Sequence, residues 1–338
     1  MEKIAIDGPK APIGFLPSVW KGIEYVNTHP GVLILPVLLD SFLWFGPRLS
    51  VSGLILPMID SLTNPAADNP ASDQMIAALQ LIAQKFNLLS LLSFIPLFPP
   101  SLMAGAAPDQ SPLGSPVVLP VNNWLLGVSA AGGLILLSLL IGSAYWVWAG
   151  SATQPAAWTA RDAFGRWART VLVMLMLSVS LLMLILVLLF PIMFFLSMVS
   201  MISPDVAGLI SRLVLFLGGG FLFWVVLSVM FSIHGSVLYR DGVLPAVWNS
   251  ISTSRWGYPT SVWIPLLLIL LNFLASSVWS LAPTASWTGA VGVIGNAYTS
   301  SVVVLASMAY YIDKRRWISE VKVYLQSRLA GRTPPGAA

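Results

Sequence analysis

The stretch "WGYPTSVWIPLLLILLNFLASSVWSLAPTASWTGAVGVIGNAYTSSVVVLASMAYYI", residues 256–312, holds no Asp, Glu, Lys or Arg across 57 positions. A helix needs about 20 apolar residues to cross the hydrocarbon of a bilayer. The stretch is therefore long enough for two crossings and the turn between them, and too apolar for the surface of a soluble domain.

Three more windows, 110–160, 170–204 and 213–239, are equally free of charge. Over the chain, 57% of residues are hydrophobic and 9% charged, with a mean hydropathy of +0.84, against roughly a quarter charged in soluble domains. The expected fold is an all-α polytopic membrane protein. Six transmembrane helices are placed near 31–47, 122–148, 170–197, 206–233, 259–281 and 288–312, as three antiparallel hairpins. Both chain ends then share a side with 14 of the 17 basic residues, and the positive-inside rule makes that side the cytoplasm. The first thirty residues lack a continuous apolar core and a small-residue cleavage site, so no removable signal peptide is expected. With no cysteine, disulfides and thiolate chemistry are excluded. The +4 charge and pI near 9.4 point to anionic lipid on the cytoplasmic side rather than to nucleic acid.

Residues 48–121 fit this scheme least well. The apolar segments 49–62 and 85–98 are short and carry Pro or Asp, leaving open whether they are re-entrant, interfacial or spanning. Between them Met75, Leu79, Ile82, Ala83 and Phe86 form one helical stripe, with Asp73, Gln80, Gln84 and Asn87 opposite. An outer cap inserted over 49–120 is expected, with an irregular part at "PPSLMAGAAPDQSPLGSP", 99–116.

Three stretches begin alike: "PSVWKGIEYVNTHP" at Pro17, "PAAWTARDAFGRWA" at Pro155 and "PAVWNSISTSRWGYP" at Pro245. Proline is tolerated in a helix's first turn, and tryptophan favours the headgroup layer. Each is expected to form an interfacial amphipathic helix leading into an outward crossing, anchored by Trp20, Trp158 and Trp248. The parts of this single membrane domain are then hairpin 1 at 15–149 with its cap, hairpin 2 at 155–240, hairpin 3 at 245–312, and a basic amphipathic tail at 313–338 anchored by Trp317. On "PAAWTARDAFGRW" and "PAVWNSISTSRW" the chain resembles a broad group of six-helix prokaryotic membrane domains that includes the membrane domain of some glycerophosphodiester phosphodiesterases. The resemblance covers at most 15–312 and implies a multi-pass protein of the prokaryotic inner membrane. No phosphodiesterase domain is expected within these 338 residues, so the resemblance implies no catalytic residue here.

A charge in the bilayer core costs several kcal/mol unless it is paired or reaches the interface. Asp40, seven residues before Pro47, and Arg212, seven after Asp205, both lie about 10 Å from the outer end of their crossings. An Asp40–Arg212 ion pair joining hairpins 1 and 2 is expected. Arg48 is the second candidate partner, and Asp40 could also cap a helix restarting at Ser41 after Pro36. Gly218, Gly219 and Gly220 read as close helix packing rather than a transporter hinge, as do "GVSAAGG" at 127–133 and "AVGVIGNAYTSS" at 290–301. Asn272 and Asn296 could hydrogen-bond across hairpin 3. His29 and His234 are placed at interfaces, where a neutral imidazole is solvated. No catalytic, metal-binding or cofactor-binding residue is expected, because no motif for such chemistry is present.

These residues carry furthest the expectation of a non-enzymatic membrane scaffold or accessory subunit that contacts lipids and a membrane protein partner. The alternative is a permease or exporter of a lipid or other amphiphile, using a cavity near Asp40, Gly218 and Asn296.

Overall fold

The structure, a computed structural model, describes residues 9–62, 70–93, 101–106, 108–156, 158–256 and 260–329. Segments 63–69 and 94–100, Lys3 and Arg332, on which parts of the sequence reading rest, lie outside the described residues. The elements in chain order are α1 (Phe15–Thr28), α2 (Ile34–Phe45), β1 (Arg48–Ser50), α3 (Ser52–Leu62), α4 (Pro70–Lys85), α5 (Leu102–Ala106), β2 (Val118–Pro120), α6 (Trp124–Ala152), α7 (Ala160–Ile202), α8 (Pro204–Val229), α9 (Phe231–Tyr239), α10 (Val243–Arg255), α11 (Thr260–Trp279) and α12 (Thr288–Leu329). Short 3₁₀ turns occupy Pro30–Leu33 and Leu88–Ser93.

The protein is all-α and polytopic. Among the described residues five helices are long and apolar enough to cross a membrane: α6, α7, α8 continued by α9, α11 and α12. A sixth crossing results if α1 and the Pro30–Phe45 helix, bent by 96° at their junction, count as one span. The bend follows from "THPG": Pro30 has no N–H to continue the α1 ladder and disfavours helical geometry in His29 before it.

The compact units cut across the hairpin order. One, here the cap unit, combines Val19–Ala152 with Leu268–Ala306; the other, the hairpin unit, combines Met1–Ser18, Thr153–Leu267 and Ser307–Ala338. Helices α1, α11 and α12 each contribute to both.

In the cap unit, α2 buries Leu39, Asp40, Leu43 and Trp44. The Trp44 indole N–H donates to Thr284 O at 2.8 Å, and a Cβ on Gly289 would lie 2.7 Å from the same ring. The glycine lets the start of α12 close on Trp44. The segment after α2 is tied at its neck by a parallel ladder that the sequence reading did not include, pairing Arg48, Leu49 and Ser50 with Val118, Leu119 and Pro120. The Val121 N–H donates to Ser50 O at 2.9 Å just past it, and the register asks for no N–H from Pro120, so the proline is tolerated there. Of the two ambiguous segments, 49–62 holds α3, 11 residues or about 16 Å, and the described part of 85–98 holds a 3₁₀ turn at 88–93 that buries Leu88, Leu89 and Leu92; residues 94–98 lie outside the described residues.

In the hairpin unit, Thr159 caps α7, its hydroxyl accepting from Asp162 N at 3.2 Å. Helix α7 then runs 43 residues, about 65 Å. The second Pro-x-x-Trp stretch therefore has no separate interfacial helix, unlike α1 and α10. From 159 to 190 it has no proline to interrupt the ladder. One residue, Ser203, ends α7 and starts α8, with Pro204 in the first helical turn and Asp205 beside the positive helix end. The tail likewise continues α12 without a break to Leu329, where a separate interfacial helix was expected.

Candidate functional site

Asp40 sits mid-helix in α2 and is 1% exposed. Its carboxylate accepts the Ser101 hydroxyl, the Leu102 N–H at 3.3 Å and the Met103 N–H at 3.1 Å. The Asn296 side-chain amide adds a further bond, and Asn296 Oδ1 accepts the Ser276 hydroxyl at 2.7 Å. Ser101 also accepts Ala104 N at 3.0 Å. Asp40 thus satisfies the N–H groups at the start of α5 that have no acceptor within the helix, while Asn296 ties it to α12 and, through Ser276, to α11.

The partners are a hydroxyl, two backbone amides and a carboxamide, where the sequence reading expected a guanidinium. Arg212 is an exposed side chain of α8 and belongs to the other unit. Arg48 pairs with Asp109 at 2.8 Å and donates to Lys85 O at 3.0 Å, closing the negative end of α4. Helix α2 runs through Ser41 without restarting, so Asp40 caps α5 and not its own helix. Beside Arg48, Asn87 Oδ1 accepts from Leu49 N and Leu89 N at 3.0 and 3.1 Å. Both charges of "DSFLWFGPR" fasten the cap.

The glycines divide. A Cβ on Gly127, Gly292 or Gly295 would meet neighbours at 2.8, 2.8 and 2.6 Å, so these positions pack closely as expected. Gly218, Gly219 and Gly220 have nothing within 4 Å of an added Cβ among the described residues, nor do Gly132 and Gly133, so no described helix of this chain packs closely on them. In the turn of α8 just before Gly218, Leu215, Phe216 and Leu217 are exposed as well. Asn272 Oδ1 is buried without a hydrogen bond among the described residues, so the bond expected of it is not formed there.

The hairpin unit holds a polar and aromatic cluster that sequence reasoning missed. His234, placed at an interface by counting, is 1% exposed, its Nε2 2.8 Å from the Ser307 hydroxyl. Phe231 stacks on Tyr311 with ring centres 5.3 Å apart. Thr170 and Ser236 share a hydrogen bond at 3.2 Å. At the edge Arg315 pairs with Asp241 at 2.7 Å, and Asn249 donates to the same carboxylate at 2.9 Å. Burial opposes the Arg315 charge, but the Asp241 hydrogen bond and the charge interactions with Tyr311, Asp241 and Tyr239 together outweigh it, and the guanidinium pKa is raised. Asp162 is held below the usual carboxylate range by the Thr159 hydroxyl and by its Arg240 partner. His234 and Ser307 have the residue types of a base and nucleophile, yet both are core side chains, and a nucleophile must be reachable by substrate.

Of the tryptophan anchors, Trp20 and Trp248 are largely exposed, Trp158 lies under the Arg166 guanidinium at 4.0 Å, and Trp317 under the Lys314 ammonium at 4.5 Å. Among the described residues no three His, Asp or Glu side chains converge as metal ligands. Comparison of the chain with protein-family models, with curated proteins and with solved structures gives no match in any of the three.

Proposed function

We propose that the protein is a non-enzymatic scaffold or accessory subunit of a prokaryotic inner membrane, with both ends cytoplasmic, holding a membrane protein partner against the α7–α8 hairpin. The observation that carries this reading is the contrast within the apolar helices. Asp40 and Asn296, the groups a permease would turn toward a pathway, are 1% and 2% exposed and spent on one another and on α5. On α8, by contrast, Gly218–Gly220 sit in open space among exposed Leu215, Phe216 and Leu217. Small residues let helix backbones approach in lipid, where packing rather than hydrophobicity drives association. Gly219, with no described residue against it and Leu215 one turn away on the same side, is suited to a helix from another chain. Trp20 and Trp248 then serve as headgroup anchors for α1 and α10, and the basic excess meets anionic lipid.

The test is purification of the tagged chain at native abundance in mild detergent, followed by native mass spectrometry. The expected result is a stoichiometric membrane protein partner that wild type retains and Gly219→Leu loses, both variants being equally folded. A stoichiometric amphiphile with no protein partner would instead support the permease.

A further inference from the structure

A second feature of the hairpin unit lies outside both the Asp40 network and the glycine face. The last turns of α8 and α10 and the first turn of α11 enclose a cavity of about 50 Å³ lined by Trp224, Leu227, Ser228, Ile251, Ser254, Arg255 and Val262. Ser228 and Ser250, its polar neighbours, are satisfied within the fold: the Ser228 hydroxyl donates to Trp224 O at 2.8 Å, and Ser250 donates to Ser228 O at 2.7 Å. Ser254 differs. It is 9% exposed, lines the cavity, and its Oγ is buried with no hydrogen bond among the described residues. A buried hydroxyl without a partner bears its desolvation penalty uncompensated, so a ligand that accepts its proton recovers that cost.

The charge around the cavity has one sign. The lining includes Arg255 and no acid, and the Arg255 guanidinium has no ion pair among the described residues. Next to it, Trp256 lies under the Lys322 ammonium at 5.8 Å. Val262 brings in the first turn of α11, whose leading N–H groups have no acceptor within the helix and whose end favours anions. The remaining lining, Leu227, Ile251, Val262 and the exposed Trp224, is apolar. One water needs about 10–15 Å³ of such space, so the cavity takes a handful of heavy atoms, which suits a phosphate group.

We propose that this cavity binds the phosphate of an anionic phospholipid, with Ser254 and Arg255 donating to the phosphate oxygens and Trp224 and Leu227 lining the path of the glycerol and acyl chains. The proposal rests on the membrane placement in the functional reading above, but not on a protein partner. It assigns the general basic bias of the chain to one site.

Native mass spectrometry of the full chain in detergent, titrated with dioctanoyl phosphatidylglycerol, dioctanoyl phosphatidylcholine or inorganic phosphate, tests it. Wild type should retain one phosphatidylglycerol at least fivefold more tightly than phosphatidylcholine. Arg255→Gln and, independently, Ser254→Val should each weaken phosphatidylglycerol at least fivefold. Arg328→Gln, which removes an equal charge from the tail, should leave it unchanged. Equal losses in Arg255→Gln and Arg328→Gln, equal affinity for the two lipids, or displacement of lipid by millimolar inorganic phosphate would each overturn the proposal, the last by making the site one for the free ion. Retention of a protein partner by the Arg255→Gln chain separates this outcome from failure of the scaffold reading.

Discussion

The Asp40 carboxylate accepts the Ser101 hydroxyl 61 residues further along the chain, so a helix in the apolar core and the return of the cap are joined at one buried acid. With Asn296 on the same acid, three separate parts of the cap unit depend on it. Replacing it should show which kind of bond matters.

Asp40→Ala leaves the Leu102 and Met103 N–H groups without their acceptor and should destabilise the protein by about 2–4 kcal/mol. Asp40→Asn, which keeps one acceptor, should cost less. Arg212→Gln should change stability by less than about 0.5 kcal/mol, as for an exposed side chain. Thermal unfolding in a single detergent checks all three. A large loss in Arg212→Gln would restore the ion pair expected from depth alone.

Glycine substitutions should separate closed from open faces. In Gly295→Ala the new methyl lies 2.6 Å from three atoms of the Trp279 ring, an overpacking that costs about 1–3 kcal/mol. Gly219→Ala meets nothing and should stabilise α8 by about 0.5–1 kcal/mol through helix propensity. The melting temperatures of the two variants should move in opposite directions.

The Arg315–Asp241 pair closes the polar cluster from outside, and Asp241 also holds Asn249. Asp241→Asn should cost about 1.5–3 kcal/mol, the range for hydrogen bonds to charged groups. In a double-mutant cycle with Arg315→Gln the two losses should not add. Additive losses would mean that the contact contributes nothing of its own.

Lys314 lies just past the charge-free crossing of α12, fully buried. Its ammonium has no hydrogen bond among the described residues and only the Trp317 ring beneath it. Burial pushes its pKa down to about 8, whereas an unfolded lysine keeps its proton to about 10.4. Between these values the unfolded chain binds more protons, so stability rises with pH across that window and carries a constant cost below it. Lys314→Met should be more stable than wild type at pH 7, and the gap should shrink from pH 8 to pH 10.5. Melting curves of both proteins over that range give the difference directly, and a gap that stays constant would contradict the buried charge.

The crossings were legible because hydrocarbon leaves the backbone no alternative to a helix, and the charge-free windows became α6, α7, α8, α11 and α12. The partner of Asp40 was not. Counting depth ranks charged residues only, whereas the donors are a serine and two backbone amides of a short helix that no periodicity marks. His234 was misplaced for a similar reason: counting put it at a helix end, but α9 folds against α12 and buries it on Ser307. The Pro-x-x-Trp stretches look alike, yet Pro30 breaks the helix of the first, whereas in the second the helix starts only at Ala160, after the Trp158 marker, and continues into the crossing as α7. Three-residue strands are too short to show alternation, so the β1–β2 neck left no signal.

The glycine face of α8 can be tested where it stands. A photo-crosslinking amino acid at Leu215, 77% exposed and one helical turn from Gly219, would be activated in native membranes and its adducts identified by mass spectrometry. A scaffold predicts a covalent adduct with one membrane protein, lost when Gly219→Leu is added to the same chain. Adducts with lipid alone would contradict it.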